Sequence, residues 1–315
     1  MSTPAFISED RYRRRKDYFR ALCSVAAVMT VLLLGLIIYE IFTKALPAIH
    51  QFGGHFLTSS EWRPNRDLYG VLPMLFGTAV SSFIALLLAL PLGLAVALFL
   101  SENFLPHPLR QLMRMIVEML AATPSVVYGL WGIFTLVPLV QHYGGMVAKH
   151  WGWIPFLHGP AYGNSLLTAS LVLALMILPT ITAVSRAALV AVPETLREGA
   201  YALGATRWET ILRVLLPYAA PGVVAASILA FGRAMGETMA VAMLIGNSQR
   251  LTLSLFSPSN TLSALLANQF SEADGLQVNA LMYAALLLII LTLGTNIFGE
   301  IVLRHTQKAI GGGHS

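Results

Sequence analysis

The polar and apolar residues of this chain are segregated on the scale of whole helices. Long apolar runs cover Ala21–Phe42, Leu72–Leu100, Leu112–Val140, Ser165–Val184, Ala219–Ile245 and Val278–Leu303, with short polar stretches between them. A hydrocarbon layer about 30 Å thick takes roughly 20 helical residues to cross. Within it a helix satisfies its own backbone hydrogen bonds. The pattern predicts an all-α, polytopic membrane protein with six transmembrane helices. The first run follows the basic segment "RYRRRK", as a signal peptide would. It is longer than the roughly 7–15 apolar residues of such a peptide and no cleavage site follows, so a retained span is expected.

Composition sharpens the class. Of the 315 residues, 56% are hydrophobic and 11% charged, with a mean hydropathy of +0.70. A soluble domain carries about 25% charged residues. This chain therefore turns most of its surface to lipid or partner protein. Its net charge of +5 is no nucleic-acid signature here. Most of its 20 lysines and arginines gather in residues 1–20, the 101–114 and 185–216 loops and the C-terminal tail. By the positive-inside rule those segments, and both termini, are cytoplasmic. The opposite loops hold Trp62, Tyr69, Tyr143, Trp151, Trp153 and Tyr162, expected at the membrane–water interface.

The organisation expected is a basic tail (1–20), a first transmembrane helix (21–42), a core over 72–303 with a loop at 185–217 inside it, and a C-terminal tail (304–315). Several chemistries are excluded. The single cysteine, Cys23, forms no intramolecular disulfide, and no Cys/His cluster has metal-ligand spacing. No nucleophile–base constellation lies at membrane depth, so no enzyme is expected. The scattered histidines receive no role. No G-x-x-x-x-G-K-[ST] loop occurs, so any ATP hydrolysis belongs to a separate chain and no cofactor is expected on this one.

Two kinds of residue stand out inside the apolar runs. Pro91, Pro124 and Gly129 interrupt the second and third. Proline removes a helix hydrogen bond and glycine admits close backbones, which suits packing alone or a hinge beside a cavity. The fifth run holds Arg233, Glu237 and Thr238. A charge at the centre of a membrane helix costs roughly 2.5–3.5 kcal/mol on insertion scales. Positions i and i+4 face one another on a helix, so Arg233 and Glu237 are expected to neutralise each other there. Such a pair either fixes packing or faces a translocation path, where the guanidinium suits an oxyanion. Arg114 and Glu118 share the same spacing nearer a helix end, and with Glu40 they read as interfacial.

The 185–217 loop is rich in helix formers with apolar residues at helical spacing, broken by a turn at Gly204. Such an element is an interfacial anchor or a docking site. Its segment "EGAYALGATRWETILRVLLP" resembles the EAA loop of ABC importer permeases. Glu198, Ala200, Gly204, Leu216 and Pro217 fall on the motif positions, with Gly199 where alanine is usual. "GRAMGETMAV", "LAATPSVVYGLWGIF" and "EWRPNRDLYGVLPMLFGT" resemble the permeases of phosphate ABC importers, and the likeness extends over about residues 20–305.

The resemblance implies a type I ABC importer permease (MetI-like) fold in a bacterial inner membrane. It implies a second permease subunit (PstA-like), an ATPase dimer that binds the ATP (PstB-like) and an extracytoplasmic phosphate-binding protein (PstS-like). It also makes the loop a coupling element. The expected function is half of the pathway of an ATP-driven phosphate importer working by alternating access. Permeases for sulfate, molybdate or phosphonate, and a secondary transporter independent of ATP, are the alternatives.

Overall fold

The computed structural model describes residues 9–102 and 104–311. The first residues of the basic tail and the last of the C-terminal tail lie outside that range. Helix follows helix: α1 (Glu9–Phe52), α2 (His55–Thr58), α3 (Leu72–Ser101), α4 (His107–Ala122), α5 (Ser125–Trp131), α6 (Val137–Trp151), α7 (Leu166–Val190), α8 (Glu194–Ala202), α9 (Arg207–Thr210), α10 (Leu216–Gly236), α11 (Met239–Leu244), α12 (Leu262–Gln269) and α13 (Leu276–Gly311). Two π-helical turns, Gly132–Leu136 and Ile211–Leu215, join α5 to α6 and α9 to α10 without a break.

Six helical stretches are long and apolar enough to span a membrane: Tyr18–Phe52, Leu72–Ser101, Ser125–Trp151, Leu166–Val190, Arg207–Gly236 and Leu276–Lys308. Their order agrees with the hydropathy pattern, but two are displaced along the chain. The third starts at Ser125 rather than Leu112, because Thr123 and Pro124 are extended and cut α4 away from α5. The fifth ends at Gly236 rather than Ile245, because Glu237 is extended. At its other end this span runs straight on from α9, so Pro217 and Pro221 sit inside helix. Pro217 follows directly on the π-helical turn Ile211–Leu215, where the switch in hydrogen-bond spacing accommodates a residue without an N–H.

The core is a three-helix contact of α3, α7 and α10, with α5 and α11 laid against it. Small residues line it: Ala85 and Ala89 of α3, Ala169 of α7, Ala230 and Ala234 of α10 are fully or almost fully buried. In lipid there is no hydrophobic force between helices, so close backbone approach through small side chains supplies the attraction. The opposite condition holds on α1, whose side chains from Tyr18 to Tyr39 are exposed throughout. Only its far end, at Ala45 and Ala48, joins the body, packing with α13.

A second cluster closes the end of the bundle away from α8. Phe56 stacks on Tyr283 with centroids 4.4 Å apart, and Trp62 meets Tyr69 edge-on at 5.0 Å. Trp62 and Tyr69, expected at the membrane interface, are core residues instead, 2% and 3% exposed. The Trp62 indole N–H is not wasted: it donates to Gln269 Oε1 at 2.7 Å. Tyr143, Trp151, Trp153 and Tyr162 are exposed. A third cluster, of Ala97, Leu189, Val192, Ile211, Leu215 and Ala219, packs the π turn and the start of α10 against the ends of α3 and α7.

Candidate translocation and coupling sites

The two helix breaks meet in space. α5 begins just after the first break and α11 just after the second, and these two short helices pack together. The contact is closest at Gly129, where an added Cβ would lie 2.7 Å from Met243 Sδ and 3.3 Å from Ala240 Cα. A glycine there lets the helices approach without displacing Met243. The α4/α5 break is tied by Tyr128, whose hydroxyl donates to the Leu120 carbonyl at 2.8 Å. That carbonyl belongs to the last turn of α4, where its one backbone partner is the Thr123 N–H at 3.4 Å. Pro124 stands at this break with extended backbone, whereas Pro91 lies within the unbroken α3.

The α10/α11 break carries the charged residues. Glu237 has φ −69° and ψ 129° and ends the helix. Its carbonyl accepts from Ser263 Oγ at 2.8 Å, and Thr238 Oγ1 donates back to the Gly236 carbonyl at 3.2 Å. Only the ψ of Glu237 leaves the helix, so its Cβ still follows one turn after Arg233 and the chain turns away beyond it. The expected neutralising contact is nevertheless not made. Among the described residues no ion pair joins the two side chains.

Arg233 instead occupies the last turn of α10. The unpaired carbonyls there favour a cation by the helix dipole. Its side chain is exposed, and its Nη1 donates weakly to Thr180 Oγ1 across 3.4 Å. Thr180 follows Pro179 inside α7. What results is a guanidinium at membrane depth with most of its donors uncommitted, held beside two interrupted helices. Broken helices at such depth occur where backbone lines a cavity or is buried in protein. Thr180 and Tyr128 escaped the sequence reading, since neither a threonine nor a tyrosine in an apolar run carries a distinguishing signal.

The 185–217 loop forms two helices joined at Gly204, whose φ of +82° suits glycine alone. The turn closes α8 through N–H bonds from Gly204 to Tyr201 and from Ala205 to Ala200. Thr206 then caps α9 reciprocally with Glu209. Ala200 is buried, Glu198 faces outward, and Leu203 at the turn is 91% exposed. Leu216 and Pro217 lie in the helix that leads into the fifth span.

The loop is also clamped. Arg197 Nη1 pairs with Glu102 Oε1 at 2.7 Å and its Nη2 donates to the Leu189 carbonyl at 3.2 Å. The Arg207 guanidinium lies 3.9 Å over the Phe104 ring, which stacks on Trp208. Nothing along the chain relates Glu102 and Phe104 to Arg197, so no local pattern in the sequence signals this clamp.

Comparison with known proteins gives the family. Residues 89–311 match the binding-protein-dependent transport system inner membrane component. The chain is 42% identical over 288 residues to the phosphate transport system permease protein PstC of Mesorhizobium japonicum, covering 90% of this chain and 88% of that one. It is 40% identical to the PstC of Haemophilus influenzae (94% and 95% covered). The probable PstC of Methanocaldococcus jannaschii is 36% identical (94% and 96%). Among solved structures, a chain of the bacterial alginate ABC transporter superposes with a TM-score of 0.62 at 18% identity, over 93% of this chain and 98% of that one. A chain of the inward-facing MetNI methionine transporter gives 0.53 at 20% identity, over 75% and 94%. These last two likenesses establish the fold. Taken with the sequence relatives, they make this chain a member of the binding-protein-dependent transport system inner membrane components, of the PstC type.

Proposed function

We propose that this chain forms half of the translocation pathway of an ATP-driven importer for inorganic phosphate, with Arg233 as the group that meets the anion. Membership of the family implies an ATPase and a binding protein as partners. In this reading they are a PstB-like ATPase dimer and a PstS-like protein, joined in the membrane by a PstA-like second permease. The observation that carries it is the exposed Arg233 guanidinium at the paired helix breaks. A planar array of N–H donors matches a tetrahedral oxyanion better than a point charge does. Glu237, half-buried next to it on extended backbone, limits the net positive charge and so keeps the anion from binding too tightly to leave. Thr238 shapes the break rather than contacting the anion, since its hydroxyl is bonded to backbone.

The positive-inside bias supports placing the termini and the α8–α9 loop in the cytoplasm. There Glu198, Ala200, Gly204, Leu216 and Pro217 belong to the element that docks on the ATPase. Closure of the ATPase pushes this element, and the continuous helix from Arg207 to Gly236 carries the movement to Arg233. Pro124 and Gly129 are positioned to absorb it at the α5 crossing. Pro91, within an unbroken helix, bends α3 only as a proline does.

The test is uptake of radiolabelled phosphate into proteoliposomes holding the whole complex, with ATP on the ATPase side and the binding protein opposite. ATP-dependent uptake that excess sulfate leaves intact, and that R233Q abolishes while the complex assembles, is the expected result. Uptake of sulfate, molybdate or a phosphonate in place of phosphate would overturn the substrate. Uptake without ATP would overturn the coupling.

A further inference from the structure

At the end of the bundle that carries α8, a cleft of about 470 Å³ opens between α3, α4 and α7. Its polar wall is His107, Arg110, Gln111, Arg114 and Glu118 of α4, with Arg186 of α7 facing them. The charges do not balance. Glu118 is engaged by Arg114, Nε to Oε1 at 2.8 Å, so Arg110 and Arg186 have no carboxylate on the wall. Glu102, at the adjoining end of α3, is already paired with Arg197. The Nε atoms of both Arg110 and Arg186 are buried and have no hydrogen-bond partner.

A buried donor of a charged group left unmade is costly, and native structures satisfy such groups with protein, water or a ligand. Two guanidiniums directed into one cleft are a recurring means of holding phosphate oxygens, through paired N–H donors. A phosphate monoester carries about −1.5 to −2 charge near neutral pH, and inorganic phosphate or the singly charged diester of a lipid headgroup likewise supplies negative charge to the two uncompensated arginines. The cleft also has room for such a group with waters, each taking about 30 Å³.

We propose that the α3/α4/α7 cleft is an oxyanion site taking one phosphate group between Arg110 and Arg186, separate from Arg233. The group comes from free inorganic phosphate or from the headgroup of an anionic phospholipid. The chemistry is the same, and the source is what the experiment separates. Arg114 and Glu118 form the rim, with Glu118 restraining Arg114 rather than the ligand.

The experiment uses the assembled complex without nucleotide or binding protein. In one arm, equilibrium binding of radiolabelled inorganic phosphate is measured. In the other, native mass spectrometry counts phosphatidylglycerol retained from nanodiscs of mixed phosphatidylcholine and phosphatidylglycerol. The variants are R110Q/R186Q, R233Q and Q111E, the last keeping every arginine while bringing a carboxylate to the wall. A loss of at least about tenfold in phosphate affinity in R110Q/R186Q and Q111E, but not in R233Q, assigns the site to free phosphate, tenfold being near the lower bound for one lost charged hydrogen bond. Loss of retained phosphatidylglycerol in the same two variants assigns it to lipid. If both arms are unchanged in R110Q/R186Q and Q111E, the proposal is overturned. Phosphate binding lost only in R233Q, with phosphatidylglycerol retention unchanged in the other two variants, overturns it as well, while leaving the pathway role of Arg233 standing.

Discussion

Glu102 and Arg197 lie 95 residues apart in the chain and 2.7 Å apart in space. The glutamate closes α3 as its C-cap and the arginine is in the middle of α8. Their side chains are 6% and 22% exposed. The pair joins the α8–α9 loop to a core helix, so under the proposed function a push on α8 would reach α3 as well as α10. Removing one partner of a buried pair strands the other charge at a cost of about 3–5 kcal/mol. Here the arginine keeps some water and a backbone carbonyl, which places E102Q toward the lower end. The expected outcome is ATP hydrolysis that continues while phosphate uptake per ATP falls. The charge-swapped E102R/R197E should recover part of the coupling. Parallel ATPase and uptake assays on wild type, E102Q and E102R/R197E check this, and equal losses in both assays would show that the pair serves only assembly.

Arg233 and its lysine substitute separate charge from geometry. R233K keeps the positive charge but offers three donors on a compact ammonium instead of a planar fork. Each charged hydrogen bond lost costs about 1.5–3 kcal/mol. R233K is expected to lower uptake by roughly ten- to a hundredfold and R233Q to abolish it, with assembly unchanged in both. Uptake near wild type in R233K would show that the site needs only a positive charge. A complex that falls apart would assign Arg233 to packing.

Much of this arrangement was legible in the sequence, because a membrane helix must be apolar along its whole length. What stayed hidden follows from the same rule. α4 exposes Leu112, Met115, Ile116 and Met119, so its apolar face runs on into α5 and hydropathy does not register the break at Thr123–Pro124. The break after Gly236 has no proline, and a lone glycine is ordinary in membrane helices. Arg233 was visible as a charge in hydrocarbon, but its reach to Thr180 of α7 rather than to Glu237 is set by how α7 and α10 pack. Trp62 and Tyr69 looked like interfacial aromatics. Only the tertiary placement of Phe56 and Tyr283 makes them core. The Glu102–Arg197 pair is set entirely by how α3 and α8 come together, and no local pattern encodes it.

The crossing of α5 and α11 gives a stability test. At Gly129 a new methyl must displace Met243, whose thioether end is flexible, while Ala240 Cα already lies at the limit of contact. Overpacking of this kind costs about 1–3 kcal/mol. G129V is expected to lower the unfolding temperature of the complex in detergent, and G129A to do so less. G129A/M243A, which vacates the space the methyl would take, should recover most of the loss. If G129V unfolds like wild type, the two short helices are not held together as closely as Gly129 indicates.

Leu203 stands alone at the tip of the α8–α9 turn, 91% exposed and beside the Gly204 bend. Tyr201, Trp208 and Leu212 are exposed on the same element. A single exposed apolar residue needs no explanation, but four on one short helical hairpin form a surface that a partner would cover. Since Leu203 makes little contact within its own chain, L203E should change the stability of the isolated permease by no more than about 0.5 kcal/mol. Against a hydrophobic groove on the ATPase, however, it would bury an unpaired carboxylate, and association should fail. Copurification of the ATPase with tagged permease, alongside thermal unfolding of the permease alone, reads the two effects separately. Loss of the ATPase with an unchanged unfolding temperature would locate the docking contact at this turn. An ATPase that stays bound at wild-type stoichiometry would move it elsewhere on the loop, with Glu198→Lys as the next substitution to try.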